Sequence, residues 1–160
     1  MNQNLPQVTF LPITRENFRA VTQLSVAPEQ KGLVSENAFS LAQAYAQPEC
    51  VPLAVSAQGE LVGFVMYALD HAEGQYWIYR LMIDGRYQKK GYGRAALCAM
   101  IERIFKDPAV QWVYISFKPE NSRARALYES VGFVSDGRVV GRHNEPVYKL
   151  CRERYFGPQG

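Results

Sequence analysis

Two rhythms of apolar spacing run along the chain, and the places where one gives way to the other mark its elements. The short apolar run Val8–Phe10 predicts a strand. Thr14 then offers a helix cap, and Phe18, Val21 and Leu24 recur at helical spacing until Pro28 closes the segment. Ser35 opens a second helix, SENAFSLAQAY, with Phe39 and Leu41 among its apolar positions and Pro48 beyond its end. Residues 51–57 (VPLAVSA) and 61–69 (LVGFVMYAL) flank Gln58-Gly59-Glu60, which suits an antiparallel hairpin. After the turn at 71–74, QYWIYRLMI (75–83) is rich in aromatic and β-branched residues and reads as a central strand. Leu97, Met100, Ile101 and Ile104 make a stripe at i+3 and i+4 spacing, predicting a helix over 91–106 that Asp107-Pro108 ends. A strand over 110–117, a helix over 122–130 stopped by Gly132, and strands 133–140 and 146–151 facing each other across 141–145 complete the order β-α-α-β-β-β-α-β-α-β-β. Strand, helix, strand in succession implies a right-handed parallel crossover, so this α/β chain should hold one parallel pair inside a mostly antiparallel sheet.

Composition narrows what such a fold can do. With 160 residues, 48% of them hydrophobic and 21% charged, the chain is sized and balanced for a single domain over 1–160. A net charge of +3 is too small to argue for nucleic acid, so any anion site must be local. Cys50, Cys98 and Cys151 have no paired spacing, which fits a reduced, cytoplasmic interior better than a disulfide framework. No basic segment followed by an apolar run opens the chain, and no stretch nears the ~20 apolar residues a membrane span needs. His71 and His143 stand apart from each other and from any cysteine, so no metal is expected.

The most informative loop is DGRYQKKGYGR (84–94), where two helix-opening glycines and several basic residues crowd one strand-to-helix turn. Glycines let a backbone approach a ligand closely, the first N–H groups of a helix lack intrahelical acceptors, and the helix dipole adds positive potential, so a pyrophosphate suits the turn. A Walker loop is excluded because no Gly-Lys-Ser/Thr follows; the dinucleotide fingerprint lacks its third glycine and acidic partner.

The run Gln88-Lys89-Lys90-Gly91-Tyr92-Gly93 resembles the Gln/Arg-x-x-Gly-x-Gly/Ala signature of the GNAT superfamily of N-acetyltransferases. Downstream, Asn121-Ser122-Arg123-Ala124-Arg125-Ala126-Leu127-Tyr128, closing on Gly132-Phe133, resembles that superfamily's Asn-x-x-Ala-x-x-Leu-Tyr…Gly-Phe segment. The two lie on successive helices separated by one strand, in the superfamily's order. Residues 27–45 with the hairpin and IYRLMID look like the bacterial spermine/spermidine (diamine) acetyltransferase branch.

This resemblance implies a GNAT fold whose central parallel strands splay apart to admit acetyl-CoA. It places the pyrophosphate on Gln88, Lys89, Lys90, Gly91, Tyr92, Gly93 and Arg94, and the pantetheine arm along Met82 and Ile83, with Asn121, Ala124 and Tyr128 beside it. The main-chain N–H of Leu81 becomes the donor to the thioester oxygen, and Tyr128 the acid that protonates the leaving sulfur. In histone-acetylating relatives a glutamate on the central strand accepts the amine's proton, but Trp77 holds that position here, which leaves the base unassigned; Asp70 and Glu73 at the strand's mouth are candidates that would act through a water chain. A polyamine acceptor calls for an acidic groove with aromatic walls, for which Glu36, Asp70, Glu73, Glu145, Trp77 and Tyr79 are the candidates. The alternative acceptors are a protein N-terminus, an aminoglycoside or another small amine; a different class is a non-catalytic CoA-binding module. Relatives often form homodimers.

Overall fold

The computed structural model describes residues 4–158. Its elements are β1 (Thr9–Pro12), α1 (Phe18–Gln23), α2 (Asn37–Ala46), β2 (Cys50–Ala57), β3 (Glu60–Asp70), β4 (Gln75–Ile83), α3 (Tyr92–Ile104), β5 (Trp112–Ser116), α4 (Ser122–Val131), β6 (Val134–Val140), β7 (Glu145–Cys151) and α5 (Arg152–Phe156). The strands form one sheet in the order β1-β2-β3-β4-β5-β7-β6. Its neighbours are antiparallel except β4 and β5, which run parallel across the α3 crossover.

Alternation along the strands divides the core between the two faces of the sheet. Val65 and Ile78 face α3 and α4, where they join Leu97, Met100, Ile101 and Phe133. Phe64 and Met66 turn to the opposite face and pack with Val21 and Leu24 of the α1 segment. Residues i and i+2 share a face of a pleated strand, so one strand serves both layers. At Gly63 the sheet leaves no room for a side chain: a Cβ there would run into the Met82 carbonyl oxygen and stand 2.8 Å from Ile83 Cδ1, so only glycine lets β3 and β4 approach this closely.

The first helices differ from the sequence expectation in detail. Thr14 and Asn17 bond reciprocally, Thr14 N–H to Asn17 Oδ1 at 2.8 Å and Asn17 N–H to Thr14 Oγ1 at 3.3 Å, so Thr14 anchors the turn before the helix and α1 itself begins at Phe18. Pro28 does not close α1, which ends at Gln23; it opens a separate 3-10 turn, Pro28–Gln30, as a ring with fixed φ readily does. Because α2 starts at Asn37, its inward positions are Asn37, Ser40, Leu41 and Ala44, and Phe39 falls on the outer side, 61% exposed. The α5 turn and the insertion of β7 between β5 and β6 had no counterpart in the periodicity.

Candidate active site

The site is created where β4 and β5 part. Their parallel pairing covers only Tyr76, Trp77 and Ile78 against Val113, Tyr114 and Ile115. Immediately beyond, Tyr79 is an extra residue: Ile78 pairs with Tyr67 and Arg80 with Met66, so the register slips by one. Such a bulge bends its strand and sharpens the local twist. From there β4 follows β3 alone, while β5 stays with β7 through Ser116 opposite Val147. Asp84 donates its N–H to the Val62 carbonyl at 2.9 Å. Alternate pairs of an antiparallel ladder exchange bonds, so Met82 and Arg80 share that phase and spend their main-chain groups on β3, whereas Leu81 and Ile83 turn theirs toward the gap. Met82 therefore reaches the site only as a side chain, not as the main-chain partner the resemblance implied.

The loop after β4 turns twice before α3. Asp84 caps a 3-10 turn, Gly85–Tyr87, and Lys89 (φ 62°) and Gly91 (φ 84°) both adopt left-handed backbone. Gly91 is the N-cap of α3 and offers no side chain to it, and among the described residues the N–H groups of Tyr92, Gly93 and Arg94 have no acceptor. A cavity of about 310 Å³ opens over this end. β4 contributes Leu81, Met82 and Ile83 to its wall; the loop and α3 contribute Gln88, Lys89, Gly91, Tyr92 and Gly93; and α4 with its cap contributes Asn121, Ala124 and Tyr128. Lys90 and Arg94 lie outside it. The Lys90 amino group sits 5.8 Å from the centre of the Tyr87 ring, and Arg94 donates to Ser130 Oγ at 2.6 Å.

The facing wall, Val26, Gln30, Leu33 and Val34, comes from the segment between α1 and α2. Two polar ties hold that segment to the loop. The Gln30 and Gln88 side-chain amides pair at 2.8 and 3.1 Å, and Gln88 also donates to the Ile83 carbonyl at 2.9 Å. Buried Asp84 accepts the Ser25 N–H at 3.0 Å and both the N–H and Nε of Arg86 at 3.0 and 2.9 Å, while Gly85 N–H reaches the Ser25 carbonyl at 2.8 Å. Burial alone would push the Asp84 carboxyl up, but the hydrogen bonds from the Arg86 side chain and from the Ser25 and Arg86 backbones outweigh it and hold the group below its usual range. Asp84→Asn is expected to cost about 1.5–3 kcal/mol, as for a lost hydrogen bond to a charged group. Because the folded carboxyl titrates below the unfolded one, that advantage is present above about pH 4 and is lost as pH falls through the folded value. Urea denaturation of both proteins from pH 7 to pH 3 should show the difference shrinking with acid; a constant difference would refute it.

α4 is pinned at both ends. The Asn121 side chain accepts the Ala124 N–H at 3.1 Å, and Gly132 at φ 113° ends the helix. Tyr128 is buried, with its ring centre 5.4 Å from Phe117 and 6.0 Å from Phe133. Its hydroxyl has no hydrogen-bond partner among the described residues. Burial pushes the phenol well above its ordinary range.

A second, smaller cavity of about 80 Å³ meets the first at Leu81, Asn121 and Tyr128 and adds Tyr79, Arg80, Ser116, Lys118 and Glu145. Of the residues expected to bind an acceptor, Tyr79 and Glu145 reach it. Glu36 caps α2 on the far side of the α1–α2 segment, and Asp70 accepts the Glu73 N–H at 2.9 Å in the β3–β4 turn. Glu73 is paired with Arg138 at 2.8 Å, and Trp77 stacks on Tyr114 with 5.3 Å between ring centres. The acidic groove drawn from the sequence is thus not assembled: the bulge turns Tyr79 inward, while the turn carboxylates stay with their own neighbours. Glu145 stands at the start of β7, where its Oε2 accepts the Ser116 hydroxyl at 2.9 Å. Arg80 donates to the Tyr79 carbonyl at 2.8 Å and to Gln43 Oε1 at 2.9 Å, and its buried Nε has no partner among the described residues. Burial draws the Arg80 guanidinium below its ordinary value, with the charge of Glu145 acting against that. An arginine interrupting the apolar run of β4 was the available sign of this pocket.

Residues 18–133 match the model of the acetyltransferase (GNAT) family, and the chain belongs to that family. It is 31% identical over 133 residues to the spermine/spermidine N(1)-acetyltransferase of Bacillus subtilis (strain 168), covering 79% of this chain and 88% of that one. The solved spermidine N-acetyltransferase from Vibrio cholerae, in complex with CoA and spermine, superposes with a TM-score of 0.72 at 18% identity, over 94% of this chain and 99% of that chain. Aminoglycoside acetyltransferase AAC(6')-Ib, in complex with coenzyme A, gives 0.76 at 19% identity, over 94% and 98%. Both likenesses are of fold: a mostly antiparallel sheet with one parallel pair. The protein is an acetyl-CoA-dependent N-acetyltransferase. Among the described residues no helix is long and apolar enough to cross a membrane.

Proposed function

We propose that this chain transfers the acetyl group of acetyl-CoA to a small primary amine by direct attack, with polyamines the first acceptor class to consider. The observation that carries the reading is the meeting of two cavities, one against the open end of α3 and the other holding Tyr79 and Glu145, at Leu81, Asn121 and Tyr128. When bound, acetyl-CoA supplies the activated acetyl carbon; what remains for the chain is to hold, polarise and move protons. Unpartnered N–H groups at the start of α3 suit the pyrophosphate, with Lys89 beside them and no side chain at Gly91 in the way. The open edge of β4 suits an amide-bearing arm, which adds to the strand as a peptide would.

In this arrangement the Leu81 N–H faces the gap and serves as oxyanion donor, a role worth about 2.7–4 kcal/mol per donor in other acyl transfers. Tyr128 lines the same two cavities as Leu81, and its hydroxyl, protonated and without a partner among the described residues, gives its proton to the departing sulfur. Support for polyamines comes from the Bacillus relative and from the spermine complex of the Vibrio fold neighbour. The aminoglycoside enzyme of like fold supports a second class. Release of free thiol from acetyl-CoA, followed with spermidine, spermine, diamines, aminoglycosides and peptides, decides among them. Faster turnover of the polyamines is expected; CoA binding with no thiol released by any amine would leave only a binding module.

A further inference from the structure

A primary amine with a pKa of about 10.4 arrives protonated, and acetyl transfer cannot begin until that proton has somewhere to go. The central-strand position that could carry a carboxylate holds Trp77, packed flat on Tyr114. Asp70 is committed to its turn, Glu73 to Arg138, and Glu36 lies across the α1–α2 segment. One carboxylate lines the acceptor cavity alongside Leu81 and Tyr128, and it is Glu145. Its Oε2 is held by Ser116, and Oε1, without a partner among the described residues, is left to receive a proton. Arg80 of β4 and Lys118 after β5 share the cavity as cations, and no ion pair engages Arg80 among the described residues. The other titratable groups facing it are the phenols of Tyr79 from β4 and Tyr128 from α4.

Building on the acetyl-transfer reading, we infer that Glu145, steadied by Ser116, is the general base that deprotonates the acceptor ammonium. One N–H proton passes to Glu145 Oε1, and the freed lone pair forms the C–N bond. As the C–S bond breaks, the sulfur takes the Tyr128 proton, and the second N–H proton of the nitrogen refills the phenol. Glu145 sheds its proton to water. The sum is one amide, one thiol and one proton from one ammonium and one thioester. Base and acid thus line one cavity from different elements, Glu145 from β7 and Tyr128 from α4.

Glu145→Gln keeps the shape and the Ser116 contact but has no basic oxygen. Such a variant reacts only with amine that arrives neutral, about one molecule in 10³ at pH 7. With spermidine, or the fastest amine of the panel, kcat/KM at pH 7 is expected to fall on the order of a thousandfold and then to climb about tenfold per pH unit toward pH 10, where the wild-type profile stays level. CoA affinity by calorimetry and the melting temperature should be unchanged. Should Glu145→Gln not fold, Glu145→Asp and Ser116→Ala carry the test: the first keeps a base and the second only loosens it, so both are expected to retain a level profile at a reduced rate. A Glu145→Gln profile parallel to wild type, whether from a raised KM or an unaltered rate, overturns the assignment of the base while leaving acetyl transfer intact. A wild type that releases no thiol with any amine overturns both.

Discussion

Gly91→Glu is expected to weaken coenzyme A binding by about a thousandfold. Position 91 is the N-cap of α3 and part of the cavity wall, so a carboxylate there stands where the diphosphate is proposed to lie. Two unit charges about 4 Å apart near a protein surface repel by about 4 kcal/mol, which is close to three decades in affinity. The backbone carries a separate cost. At φ 84° any side chain is strained, and a Cβ would come within 3.1 Å of Pro6 Cδ. Gly91→Ala carries that strain without the charge; because it is borne with and without CoA, the cost of about 1–2 kcal/mol falls on fold stability, and CoA affinity should change little. Calorimetric titration with CoA separates the two effects. Gly91→Glu binding CoA within threefold of wild type would move the phosphates away from this loop.

How much of this was legible before the structure depended on the length scale of the signal. Helix α3 has its stripe at Leu97, Met100, Ile101 and Ile104, and β4 its dense apolar run, so both are written in adjacent residues. The parallel pair followed from their succession. Phe39 shows the limit of such reading: it is one of the apolar positions of the helix, yet α2 begins at Asn37 and that phase leaves Phe39 on the outer side. The site divides in the same way. Residues 88–93 and 121–128 are contiguous motifs, and most of them line one cavity. The walls facing them are not contiguous in sequence. Gln30 meets Gln88 across 58 positions and Ser25 meets Asp84 across 59, contacts that no local spacing records. The acceptor pocket was the least legible part, because it is the product of the Tyr79 bulge and of β7 being inserted beside β5, which together bring Arg80, Ser116 and Glu145 to one place.

Tyr128→Phe is expected to lower kcat by about 10²–10⁴-fold, the range for loss of a positioned acid, while CoA affinity changes little. The ring is what packs: its neighbours are Phe117 and Phe133, and phenylalanine preserves those contacts. The hydroxyl, by contrast, has no partner among the described residues to lose, so its removal leaves no polar group stranded in the core. A role confined to binding would appear as a weaker CoA affinity at constant kcat. Burial favours the neutral phenol, so its pKa moves up, and the donor stays protonated at neutral pH and past pH 10. An alkaline fall in kcat attributable to Tyr128 should therefore lie above pH 10. Stopped-flow thiol release from saturating acetyl-CoA, compared for the two proteins between pH 6 and pH 10, checks this. A Tyr128→Phe enzyme with wild-type kcat would show that the sulfur takes its proton from elsewhere, and with it would go the second half of the proton balance that begins at Glu145.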